Sequence, residues 1–261
     1  MKTKFLHIAT ALLFAGFTSS CSDFLDRYPL DELSDSSFWK TENDAMMAVT
    51  DIYGCLPTWD QDEDINSDNA VHGIKWAAGN ISKGIYDPMD QSWAGSYTPI
   101  RQCNLVLEKV KDIEMSDESR KKIEGQAYFF RAFVYFNLIR SFGDVPYIDK
   151  PLNLTDVEDI TRTPREEVYA KVMADFDKAI EYLPEEWDAA NTPRVTKGAA
   201  LAMKARAALY YSNWQVAADA SKAVIDLGKY ELYDAGNTGK YQELFWEKSD
   251  GCDENILYVQ F

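Results

Sequence analysis

The fold is read from one stretch, Arg131-Ala132-Phe133-Val134-Tyr135-Phe136-Asn137-Leu138-Ile139-Arg140-Ser141-Phe142-Gly143-Asp144-Val145-Pro146. Ala127, Phe130, Val134 and Leu138 recur every three or four residues, the spacing of one helix face. Phe133, Phe136 and Ile139 fill in other faces, so the helix is apolar nearly all round and belongs in the centre of a core. Ser116 can cap its start and Gly143 ends it. The two arginines on this apolar helix, Arg131 and Arg140, are expected to meet buried acids or carbonyls and hold the fold.

Helical spacing spreads to both sides. Thr41-Glu42-Asn43-Asp44 resembles a capping box, and Ala45, Ala48, Val49, Ile52 and Tyr53 follow on one face until Gly54 and Pro57. Tyr97, Ile100, Cys103, Asn104, Leu107 and Val110 make another face. Thr163-Pro164-Arg165-Glu166 reads as a helix start, with Thr163 as cap and Pro164 in the first helical position. Val168, Val172, Phe176, Ala179 and Leu183 continue it to Pro184. Thr196 caps a further helix through Leu201, Ala205 and Ala208. Asn213-Trp214 opens the next, through Ala217, Ala220 and Val224 to a left-handed Gly228. Ile256-Leu257-Tyr258-Val259 reads as a strand. Phe176, Ala179 and Pro184, then Leu201, Ala205, Trp214 and Ala217, resemble the spacing of tetratricopeptide helix pairs. There, small alanines let helices approach and large aromatics fill the gaps. The expected architecture is mainly α: a tetratricopeptide-like helical repeat frame with long irregular loops at 58–92 and 144–162.

Length and composition bound the rest. The 261 residues are 46% hydrophobic and 27% charged, a globular composition. The net charge of −16 repels phosphate backbones and anionic lipid, which excludes sequence-independent nucleic-acid binding and a polybasic membrane patch. Two histidines are too few for a histidine-rich metal site, and no cofactor motif occurs. Residues 1–20 read as a leader. Lys2 and Lys4 precede an apolar run from Phe5 to Phe17, too short to span a bilayer. Thr18-Ser19-Ser20-Cys21 resembles a lipoprotein cleavage site, which makes Cys21 the lipid-anchor residue and 21–261 the mature chain. The alternative is an ordinary secretory signal with an incidental cysteine. Cys55, Cys103 and Cys252 form no paired framework; free thiols are expected, with a Cys55–Cys103 pair as the alternative.

The 58–97 region carries the binding candidates. Sugar recognition needs flat aromatic faces for stacking and planar polar groups for hydroxyls. Trp59, Trp76 and Trp93 supply the first; Asp68, Asn69 and Asn80 supply the second. The plain alternative is that Trp93 packs within the helix it opens and Trp59 covers the preceding one. Asp60, Asp62 and Asp64 resemble half a calcium loop. Ile65 stands where the turn glycine belongs and Val71 where the bidentate glutamate belongs, so a solvated acidic loop is expected. Glu166-Glu167 and Glu185-Glu186 sit at helix ends, where dipole effects explain them without glycosidase chemistry. No catalytic residue is assigned.

Together these residues resemble the SusD/RagB family of outer-membrane nutrient-binding lipoproteins. The resemblance runs through Cys21-Ser22-Asp23-Phe24-Leu25-Asp26, Phe38-Trp39-Lys40-Thr41 and Ser67-Asp68-Asn69. It continues through Trp93 with Tyr97, Ile100 and Asn104, the Arg131–Pro146 stretch, and Ala205-Arg206-Ala207-Ala208-Leu209-Tyr210-Tyr211 with Trp214. It implies a helical SusD-like fold, a lipid-anchored place on the cell surface, and a SusC-type TonB-dependent transporter as partner. The implied work is capture of oligosaccharides, or in some members peptides or glycoproteins, without catalysis. A helical-repeat interaction module without a small ligand is the alternative. Members of the family run to about twice this length, so the chain reads as an N-terminal part.

Overall fold

The structure is a computed structural model that describes residues 38–56, 84, 93–157, 159–233, 241–246, 249 and 251–258. An N-terminal unit ends at Trp39; in it the Phe38 and Trp39 rings meet edge to face at 5.2 Å. The unit from Lys40 onward is built of helices. Its described α-helices are α1 (Glu42–Ile52), α2 (Trp93–Lys109), α3 (Asp117–Phe142), α4 (Arg165–Tyr182), α5 (Lys197–Tyr210) and α6 (Trp214–Asp226). Each packs on the next, and α1 also meets α3. The long α3 is the centre of the stack. Its buried residues lie on every side, among them Ile123, Phe129, Phe130, Tyr135, Phe136 and Leu138. Among the described residues no helix is long and apolar enough to cross a membrane.

Local chemistry sets the helix ends. The Thr41 hydroxyl accepts the Asp44 N–H at 3.2 Å, and the Asp44 carboxylate accepts the Thr41 N–H at 2.8 Å, closing the capping box of α1. Ser116 and Thr196 cap α3 and α5 by accepting the N–H groups of Ser119 and Ala199. Gly143 and Gly228 follow α3 and α6 with φ of 68° and 62°, a left-handed backbone that costs a residue with a Cβ. The start of α4 differs from the expected Thr163 cap. Thr163 is drawn into an antiparallel bridge with Val145, through hydrogen bonds of 2.9 and 3.2 Å. Pro164 is the residue before the helix and caps nothing with its side chain. The Asp144 carboxylate accepts the Arg165 N–H at 2.9 Å instead. A partner 21 residues away does the capping that the local pattern assigned to a neighbour.

A buried polar cluster joins α2, α3 and α4. Arg131 donates from Nε and Nη2 to the two carboxylate oxygens of Asp175, both at 2.7 Å. Its Nη1 donates to Asn104 Oδ1 at 2.8 Å. All three side chains are buried. Burial works against the guanidinium charge, yet the hydrogen bonds and charge of Asp175 hold Arg131 above its usual range. Asn104 turns its amide outward to the Ile148 carbonyl at 2.9 Å. Tyr135 accepts the Ile148 N–H at 2.7 Å and donates to the Ile148 carbonyl at 3.1 Å. Tyr97 donates to the Pro146 carbonyl at 3.0 Å. The irregular segment after α3 is therefore held by helix side chains that satisfy its backbone groups. Arg131 meets an acid, as its place on an apolar helix suggests.

Two expectations fail here. Residues 256–258 form bends and coil, not a strand; a strand needs a paired neighbour, and no ladder exists among the described residues. Phe176, Ala179, Leu201, Ala205 and Ala217 are buried at the helix contacts, but Trp214 is 64% exposed. It stands in the first turn of α6, which packs chiefly on α5, so it fills no gap between helix pairs.

Removing Asp175 leaves a buried guanidinium without its counter-charge. Asp175→Ala is expected to cost about 3–5 kcal/mol of stability in urea unfolding, and Arg131→Met combined with Asp175→Leu less than that. Asp44 is held below the usual carboxylate range by hydrogen bonding to the Thr41 side chain, then to the Thr41 N–H. A lowered folded pKa gives stability that is present above the ordinary carboxylate range and lost as pH falls through the folded value. In acid titrations followed by thermal melting, Asp44→Ala is therefore expected to be less stable than the parent at neutral pH, with the difference shrinking in acid.

Candidate functional site

The C-terminal turn of α1, the first turns of α2 and the middle of α3 enclose a cleft of about 560 Å³. It falls within the range of about 300–1,000 Å³ usual for small-molecule sites. Phe133 gives it a half-buried aromatic wall. Asn137 from α3, Gln102 and Thr98 from α2, and Asp51 from α1 give it polar groups. Gln102 donates its amide to the Asp51 carboxylate, which fixes both planar groups at the mouth. Helical spacing explains why these residues coincide. Phe133 and Asn137 are four apart on α3, as are Thr98 and Gln102 on α2, so each pair shares a face. Pro99 within α2 lacks an N–H, so the Gly95 carbonyl, four residues back, receives no helix hydrogen bond from it.

Trp93 stands at the entrance to α2. Its ring meets Phe142 edge to face at 4.8 Å and Tyr97 at a tilt at 6.0 Å, and the Arg162 guanidinium lies 5.2 Å from its centre. It is half-buried. One part of the ring is thus anchored on α2, α3 and the segment before α4, while the rest reaches solvent. Trp59, Trp76, Asp68, Asn69 and Asn80, the acidic run Asp60–Asp64, and Cys21 lie outside the described residues. Of the expected binding residues the structure places Trp93 alone.

Residues not singled out as ligand groups in the sequence line this cleft: Phe133, Asn137, Gln102, Thr98 and Asp51. A polar side chain on an otherwise apolar helix face was the available signal, and only Arg131 and Arg140 were read that way. Cys55 also borders the cleft; burial pushes its thiol up to about 12. Cys103 lies beneath it, fully buried, and burial pushes its thiol up as well. Cys55, Cys103 and Cys252 are all free. Among the described residues no three His, Cys, Asp or Glu side chains gather as metal ligands.

Comparison with known proteins places this architecture. A family model described as "Starch-binding associating with outer membrane" matches residues 24–209. The chain belongs to the SusD-like family. The SusD-like protein P2 of Formosa agariphila is 29% identical over 276 residues, which cover all of this chain and 53% of that protein. A SusD-like protein of Bacteroides ovatus is 25% identical over 280 residues and half covered. Among solved structures, a SusD-like protein from Bacteroides fragilis superposes with a TM-score of 0.80 at 29% identity, over 90% of this chain and 47% of that one. The SusD-like chain thus spans about half the length of the relatives it matches.

The two cleft-side thiols provide a check on this part of the structure. With both thiols held protonated, an aromatic disulfide reagent at pH 8 is expected to label Cys55 and Cys103 slowly in the native protein and at once in urea. Rapid native labelling of Cys103 would contradict the packing of α2 on α3.

Proposed function

We propose that this SusD-like protein is a glycan-binding lipoprotein of the outer-membrane surface. In this reading Cys21 carries the lipid anchor after loss of residues 1–20, and the mature chain captures oligosaccharides and passes them to a SusC-type TonB-dependent transporter. It does so without catalysis. The observation that carries the reading is membership of a family described as starch-binding and outer-membrane-associated. Two solved proteins of the same fold support it. One is a laminarin-binding SusD-like protein, at 23% identity and a TM-score of 0.74 over 84% of this chain and 51% of its own. The other is the surface glycan-binding protein A of Bacteroides fluxus, at 22% and 0.69 over 84% of this chain and 50% of its own. The cleft between α1, α2 and α3 has the chemistry such capture uses. Phe133 can meet the apolar face of a sugar ring, and Asn137, Gln102 and Asp51 can meet its hydroxyls. Trp59, Trp76, Asp68, Asn69 and Asn80 are proposed to complete the binding surface from the 58–92 region.

One observation favours a second reading, a helical-repeat module that binds protein. Leu209, Tyr210 and Trp214, at the α5–α6 turn, are each more than half exposed. Exposed apolar side chains close together in this way, two of them aromatic, suit a protein contact.

Native affinity electrophoresis in gels containing laminarin, starch or xylan separates the two. The glycan reading expects retardation in at least one gel, reduced several-fold by Trp93→Ala or Asn137→Ala and untouched by Trp214→Ala. A folded protein that no polysaccharide retards, in neutral or acidic gels, would overturn it.

A further inference from the structure

A second pocket, of about 390 Å³, opens on the other side of the end of α1. Thr50, Tyr53 and Leu56 form one wall, and residues 190–194 with Tyr258 form the rest. In a chain of net charge −16, its lining holds no acid among the described residues, and Arg194 is the single charged side chain among them. The guanidinium is held in place by neutral groups. Its Nη1 donates to Gln126 Oε1 at 3.2 Å and its Nη2 to Thr50 Oγ1 at 3.0 Å, above the Tyr53 ring at 5.8 Å. Tyr53 is itself pinned, donating to Gln126 Oε1 at 2.7 Å and accepting the Val195 N–H at 2.9 Å. Arg194 makes no ion pair among the described residues. The fork is therefore oriented and half-buried without being neutralised, a state that favours arrival of an anion.

A neighbouring pocket of about 390 Å³ shares Thr192, Pro193, Arg194 and Tyr258 with the first. The two meet at Arg194 and Tyr258 and make one trough. The far half carries Glu185 and Asp253, acceptors suited to the hydroxyls of a neutral sugar, and Glu186, whose charge is already met by Lys229 at 3.0 Å. The near half, with no acid among its described lining residues, suits a negative group.

We propose that this trough binds an acidic saccharide, with the carboxylate or sulfate of a sugar ring held by Arg194 and neutral rings running toward Glu186 and Asp253. The inference rests on the glycan-binding reading and names a ligand class for it. The net charge repels dense polyanions at long range, so the fitting ligand carries isolated anionic groups.

The test is affinity electrophoresis of the full chain in matched gels: glucuronoxylan against carboxyl-reduced glucuronoxylan, and κ-carrageenan against its desulfated form. The expected result is a dissociation constant about tenfold or more lower for one charged polymer than for its uncharged match, as one charged hydrogen-bonding group can supply. The pair that responds tells carboxylate from sulfate. Arg194→Gln should abolish the preference, with a thermal melt to confirm folding. Because Arg194 also ties α1 to α3, a second variant leaves its bonds alone: Ala190→Glu, at an exposed lining position, should reduce charged-polymer binding by repulsion. Equal retardation within both pairs, or retardation only by neutral polymers, overturns the proposal and leaves the glycan reading standing. A preference that survives both variants overturns the assignment to this trough. No retardation in any gel, laminarin and starch included, removes the glycan reading and this inference together.

Discussion

Arg131 holds three helices and a loop in register. Its guanidinium spans Asp175 on α4 and Asn104 on α2 from a position on α3, and all three side chains are out of solvent. A buried pair of this kind does not by itself add much net stability, since desolvation offsets its attraction. Its value lies in geometry. A fork with two 2.7 Å bonds to one carboxylate tolerates little rotation or slide of α4 against α3, where apolar packing alone would accept neighbouring registers. Gly125 contributes to the same contact. A Cβ there would come within 3.0 Å of Leu183 and Tyr182, so its absence lets α3 approach the end of α4 closely.

The functional surface follows from that core. Asn104 and Tyr135 extend the polar cluster to the backbone of Ile148, and Tyr97 to Pro146. These bonds hold the segment that leaves α3 through Asp144, which caps α4, and Val145, which bridges to Thr163. With α2 fixed against α3 in this way, Trp93 is held against Phe142, and Phe133 and Asn137 face Thr98 and Gln102 across the cleft. Burial pushes the Tyr97 hydroxyl up to about 12, so it remains a protonated donor to the Pro146 carbonyl across the physiological range. On the other side of α1, Tyr53, Gln126 and Arg194 do a similar job with neutral acceptors, and there the charge is left over.

Much of this was legible in the sequence. Helices α1, α3 and α5 begin at Thr41, Ser116 and Thr196 because their hydroxyls meet N–H groups three residues on, an interaction within one turn. Gly143 and Gly228 mark helix ends for an equally local reason. Family membership was legible too, since it rests on several short motifs in order. The failures share a cause. Thr163 had the pattern of a cap, but a bridge partner 18 residues back claimed it. Trp214 had a repeat-like spacing, but it lies in the outer turn of α6. Ile256 to Tyr258 had strand composition, but composition supplies no partner strand. Trp93 was legible as an aromatic at the start of α2. The cleft lined by Phe133, Asn137 and Gln102 was not, because its lining comes from three helices and from positions far apart in the chain.

By itself the sequence determined the helical class, the helix limits set by nearest-turn hydrogen bonds, the family, and the net negative charge. Each of these depends on side chains within a few residues of one another, or on totals that no folding alters. Only the tertiary structure decided that Arg131 answers Asp175 and Asn104, that Asp144 caps α4, and that Phe133, Asn137 and Gln102 share a cleft. It alone decided that Arg194 stands in a pocket with no acid among its described lining residues. Such pairings depend on which helix faces meet, and that is settled by packing across the whole core, where partners are chosen by distance in space rather than along the chain.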